Sequence, residues 1–123
     1  MNLSVCLIAR NEEENLERVI GSIEAVADEI ILTDTGSTDD TVSLANSLGA
    51  KISYFPWCDD LSAARDFSFS QARGDWIFWI DADEALLSES VEELGRCISR
   101  DDVFAYLILR QDLTLIRTCC KPT

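Results

Sequence analysis

The chain has 123 residues, enough for one domain with a sizeable core and too few for two. Its apolar share of 47% and charged share of 27% are ordinary for a globular protein, but its formal net charge of −13 is not. So acidic a chain argues against nucleic acid or an anionic membrane as partner, since both need basic patches, and it has no histidine to serve as base or ligand. The five cysteines (Cys6, Cys58, Cys97, Cys119, Cys120) show no zinc spacing, and their odd number suggests reduced thiols in a cytoplasmic protein. No signal peptide precedes the first strand, and the apolar runs are too short to span a membrane.

In chain order, Leu3–Ala9 reads as a first strand, followed by Asn11 at a helix N-cap position with Glu14 completing a capping box. Leu16, Val19, Ile20 and Ile23 then recur at helical spacing. Glu29–Thr33 is a second strand, running into Asp34. Gly36 permits a sharp turn there, and Ser37 or Thr38 is placed to cap the next helix. That helix carries Val42, Ala45 and Leu48 and stops at Gly49. Lys51–Phe55 is a third strand, and Pro56 to Asp60 is an irregular connection. Ser62 starts a third helix that runs to Ala72, with Gly74 closing it.

Trp76–Ile80 is apolar and rich in aromatic and β-branched residues, as expected of a strand covered on both faces. Asp81, Ala82, Asp83 and Glu84 follow at once. On extended backbone Asp81 and Asp83 point the same way, roughly 7 Å apart. Such like charges favour a hard cation between them, Mg²⁺ or Mn²⁺, although a solvated acidic turn has the same composition. Ser90 and Glu93 form another capping box ahead of Val91, Leu94 and Ile98, and Val103–Leu109 is a last strand.

The alternation of strand and helix predicts an α/β fold: a Rossmann-like parallel sheet with helices on both faces, in one domain spanning residues 1–123. Ligands bind such sheets beyond the carboxyl ends of the strands. Arg10, Asn11, Glu12, Asp34, Asp59, Asp81 and Asp83 all fall there. Helix capping accounts for Asn11 and Ser37, but not for two aspartates that directly end apolar strands.

Three segments, SVCLIARNEEENL, EIILTDTGSTDDT and FPWCDDLSAARDFSFSQARGDWIFWIDADEAL, resemble the family-2 glycosyltransferases of the GT-A fold, closest to the bacterial SunS-like or lipopolysaccharide-core branch. The resemblance implies transfer of a sugar from a nucleoside diphosphate sugar, UDP-type favoured, to a glycan, lipid or protein acceptor, with bacterial cell-envelope glycan as the class. It implies that Ala9, Arg10, Asn11, Glu12 and Asp34 hold the nucleotide base, with Gly36 and Ser37 in the same loop. Arg65 would face the donor, Asp81 and Ala82 would lie near the ribose and metal shell, and Asp83 would bind Mg²⁺ or Mn²⁺. Members continue beyond the metal motif to a catalytic base, so the resemblance implies a C-terminally truncated chain. Asp101, Asp102 and Asp112 are the acids near its end, and none is assigned as base. A non-catalytic nucleotide-sugar-binding module is the alternative. A phosphatase of the haloacid dehalogenase type ranks below both, because its DxD opens the core domain and here the motif follows the fourth strand.

Overall fold

The structure is a computed structural model that describes residues 3–99 and, beyond them, the backbone of two strands. Four strands and four helices alternate: β1 (Leu3–Ala9), α1 (Leu16–Ile23), β2 (Glu29–Asp34), α2 (Thr41–Ser47), β3 (Lys51–Tyr54), α3 (Leu61–Ser70), β4 (Trp76–Trp79) and α4 (Ser88–Ile98). β5 (Ala105–Leu109) and β6 (Ile116–Cys120) follow. The sheet order is β3-β2-β1-β4-β6-β5, and the first four strands are mutually parallel, in the order 3-2-1-4. Parallel neighbours need a crossover, and the short helices supply it.

The two antiparallel strands depart from the sequence reading. β6 pairs antiparallel with both β4 and β5, so the sheet is mixed rather than purely parallel. No strand is expected over 116–120, because IRTCC shows no apolar alternation. The expected strand at Val103 begins at Ala105, its first two residues falling outside the described ones.

Alternate residues of the strands build two apolar layers. Leu3, Val5, Leu7, Ile30, Leu32, Trp76 and Phe78 pack with Leu16, Val19, Ile20 and Ile23 of α1, Ala45 of α2 and Leu94 and Ile98 of α4. Cys6, Ile31 and Ile77 form a smaller cluster on the other side, with Phe69 of α3 against it. Helices thus cover both faces.

Several expected helix starts are corrected. α1 begins at Leu16, not behind Asn11, whose φ of 55° places it in the left-handed region. Asp60, not Ser62, caps α3 by accepting from the Ala63 N–H at 3.1 Å. α3 ends at Ser70, ahead of Gly74, and α4 starts at Ser88 without the Ser90–Glu93 box. Of these starts only that of α3 has a side-chain cap, Asp60; Asn15 before α1 and Leu87 before α4 make no cap bond, so tertiary contacts rather than capping set those ends.

Candidate functional site

Asp34 is the last residue of β2, paired with Ala9 on one side and Tyr54 on the other, and it is buried. Its carboxylate accepts from the N–H groups of Gly36 and Ser37, at 3.2 and 3.1 Å. Gly36 has a φ of 129°, which a side chain would strain. The turn therefore folds back onto its own aspartate.

The β1–α1 connection is laced to this turn. The Asn11 N–H donates to the Ser37 hydroxyl at 2.9 Å, and Asn11 Oδ1 accepts from the Thr38 N–H at 2.8 Å and the Asp39 N–H at 3.3 Å. The Glu12 N–H donates to Thr41 Oγ1, while the Glu12 carboxylate accepts from the Asn15 side chain. Asn11, Ser37 and the Glu12 N–H, expected at the nucleotide, thus bond across the two loops, while the Glu12 carboxylate is held within its own. Ser37 and Thr38 do not cap α2. Asp39 accepts from the Thr41 hydroxyl and N–H, and these bonds hold its carboxyl below the usual range.

A cleft of about 430 Å³ opens beside Asp34, lined by Arg10, Asp34, Thr35, Gly36, Tyr54, Pro56 and Trp57. Tyr54 and Trp57 are exposed apolar surface at its mouth. The Trp57 N–H donates to the Thr35 carbonyl, and its indole N–H donates to Asp59, itself at a φ of 60°. The sequence reading missed both aromatics, although large rings at the exposed end of a strand were the signal for them.

Asp81 lies at the same carboxyl edge, separated from Asp34 by β1. Its surroundings correct the extended geometry expected for the DxD. β4 stops at Trp79, and Asp81–Glu84 is a turn in which the Glu84 N–H donates to the Asp81 carbonyl at 3.0 Å. Alternation of side chains fails in a turn, so Asp81 and Asp83 do not share a face by strand geometry. Asp81 is half-buried, Ala82 buried and Asp83 exposed. The cleft lining includes neither aspartate. Among the described residues no group of three or more His, Cys, Asp or Glu side chains is gathered for a metal. Two carboxylates suit Mg²⁺ or Mn²⁺, a hard ion that keeps waters and takes its remaining ligands from phosphate.

Arg65, in the second turn of α3, sits over the Trp79 ring, 5.2 Å from its centroid, at the end of β4. The indole holds the guanidinium at the carboxyl end of β4. Cys6 is a core thiol, pushed up to about 11 mainly by burial, and is no nucleophile. Asp101, Asp102 and Asp112 lie outside the described residues. No helix among the described residues is long and apolar enough to cross a membrane.

A parallel 3-2-1-4 sheet with a cleft and carboxylates at the strand ends defines a Rossmann-like α/β protein, a class in which ligands lie at that edge. Within that class the chain belongs to glycosyl transferase family 2, whose model matches residues 4–112. It is 41% identical over 110 residues to the TPR repeat-containing protein Synpcc7942_0270 of Synechococcus elongatus, covering 89% of this chain and 27% of that one. It is 38% identical over 109 residues to the uncharacterized glycosyltransferase RT0209 of Rickettsia typhi, covering 86% and 37%. The chain therefore spans well under half the length of these curated relatives. In fold it is similar to glucosyl-3-phosphoglycerate synthase from Mycobacterium tuberculosis, with a TM-score of 0.75 and 23% identity over 98% of this chain and 56% of that one. That enzyme's structure is a complex with Mn²⁺, UDP and glucosyl-3-phosphoglycerate.

Proposed function

We propose that residues 1–123 act as one donor-binding domain of a glycosyltransferase, which moves a sugar from a UDP-type nucleotide sugar to a glycan, lipid or protein acceptor. Family membership over residues 4–112 carries this reading. A cleft of about 430 Å³ beside Asp34 supports it, being of the size that small-molecule sites use.

In this reading the base lies in the cleft against Tyr54 and Trp57, with the Asp34 carboxylate accepting from a ring N–H, Arg10 and Gly36 lining the cleft, and Ala9 buried beside Asp34. The ligand then crosses the end of β1, about 10 Å at normal strand spacing, to the acidic turn. Asp83, with Asp81, holds Mg²⁺ or Mn²⁺ at the diphosphate, and Ala82 keeps the turn packed. When bound, the ion supplies Lewis-acid neutralisation of charge on the leaving diphosphate. Arg65 adds a planar cation suited to phosphate oxygens. The thiols of Cys6 and Cys58, which form no disulfide, go with a reducing, cytoplasmic setting.

The test is a thermal-shift screen of nucleoside diphosphates and nucleotide sugars, with Mn²⁺ and with chelator. Stabilisation by UDP that needs the metal is expected. Stabilisation that is indifferent to metal, or absent for every nucleotide, would overturn the reading. Sugar turnover against an acceptor mixture then separates an enzyme from a binding module.

A further inference from the structure

The Asp81–Glu84 turn is closed from two sides. Inside it, the Asp81 carbonyl accepts from the Glu84 N–H at 3.0 Å, and the Asp81 N–H donates to Glu84 Oε1 at 2.8 Å. Both backbone groups of Asp81 are thus tied to one residue. Outside it, α1 reaches across: Arg18 Nη2 donates to the Asp83 carbonyl at 2.9 Å and to Asn15 Oδ1 at 3.3 Å. Ser22, one turn further along α1, accepts from the Leu86 N–H at 3.0 Å. The backbone of the turn is held while the Asp83 side chain stays exposed.

From this arrangement we propose that Arg18 and Glu84 are positioning residues that set the direction in which Asp83 offers its carboxylate to a divalent cation. The proposal rests on the donor-site reading above. Groups behind a metal ligand fix its orientation, and their loss commonly weakens metal binding tenfold or more. Glu84 acts here through the hydrogen bond it accepts, not as a ligand. Arg18 gives the sharper distinction. As a charge it repels the cation, so Coulomb's law alone has its removal tighten metal binding. As a brace, its removal weakens binding.

The experiment titrates Mn²⁺ calorimetrically into the full chain at saturating UDP, comparing Arg18→Met, Glu84→Ala, Glu84→Gln and Asp83→Asn. Arg18→Met and Glu84→Ala should each weaken Mn²⁺ about tenfold. Glu84→Gln keeps a side-chain oxygen for the Asp81 N–H and should recover most of that loss. Uridine, which lacks the diphosphate, reports on the Asp34 cleft alone, and its affinity should stay within about twofold in every variant, which separates a local brace from general unfolding. Tighter or unchanged Mn²⁺ binding in Arg18→Met, with Asp83→Asn losing it, would overturn the positioning roles and leave the donor site standing. Unchanged Mn²⁺ binding in Asp83→Asn would overturn the site and the proposal together.

Discussion

Ser4 and Glu29 meet at the end of the sheet opposite Asp34, where the Ser4 hydroxyl donates to Glu29 Oε2 at 2.5 Å with both residues buried. Lys51 Nζ donates to the other carboxylate oxygen at 2.9 Å, and the Arg73 N–H donates to Oε2 at 2.6 Å. The start of β2 is thereby tied to β1, to β3 and to the approach to β4.

The first prediction concerns pH. Burial pushes the Glu29 carboxyl up, but the bonds from Ser4, Lys51 and Arg73 outweigh it and hold the group below its ordinary value of 4.5. A depressed carboxyl contributes stability that is present above the unfolded value and lost as pH falls through the folded one. Urea unfolding should therefore show stability falling below about pH 4.5, with a shallower fall in Glu29→Gln. At pH 7 that variant should be about 1–3 kcal/mol less stable, because the buried Ser4 hydroxyl and the Arg73 N–H lose a charged acceptor, while the half-exposed Lys51 is left to solvent.

The second concerns Gly74. A Cβ there would stand 2.8 Å from both the Ser4 nitrogen and the Ser4 hydroxyl, and the Gly74 N–H already donates to that hydroxyl at 2.8 Å. Backbone blocks the way, so β4 or β1 must shift. Gly74→Ala should lose about 1–3 kcal/mol, read as a lower Tm.

The third separates strain from hydrogen bonding at Asn11. Asn11→Ala loses the bonds from Thr38 and Asp39 and puts a poorly tolerated residue at a φ of 55°. Asn11→Gly loses the bonds but accepts the angle. Denaturant unfolding should show Ala less stable than Gly by about 1–2 kcal/mol, with both below the parent. Equal stabilities would mean that the backbone angle carries no cost.

The fourth concerns the cleft. Trp57→Ala should weaken UDP binding by about 1–3 kcal/mol, the usual worth of a base stacked on an aromatic ring. Asp34→Asn should weaken it by about 1.5–3 kcal/mol through loss of a charge-assisted bond. Calorimetry at fixed Mn²⁺ reads both, and an unchanged affinity in Asp34→Asn would reduce Asp34 to a turn residue.

The parallel half of the sheet was legible because its strands are continuous apolar runs and its crossovers carry helical stripes. Asp34 and Asp81 were legible by the same logic, each standing where an apolar run stops. What stayed hidden was set by contacts distant in sequence. Asn11 looks like a helix cap until Ser37 and Thr38 arrive to bond it. Asp83 looks like a strand residue until Glu84 folds back on Asp81. Arg18 is one exposed cation on a helix until the acidic turn comes to lie against it. β6 finds its place between β4 and β5 without any period-2 pattern to announce it.

The lacing of the β1–α1 connection to the β2–α2 connection also governs how the rim moves. Bonds run in both directions, from Asn11, Glu12 and Glu13 to Ser37, Thr41 and Asp39, and back from Thr38 and Asp40 to Asn11 and Glu13. Amide protons on the two segments should exchange with solvent as one cooperative unit, since neither can open while the other holds it. A molecule that grips only Arg10 thereby stills the loop that carries Gly36, and the ordering cost of two loops becomes that of one.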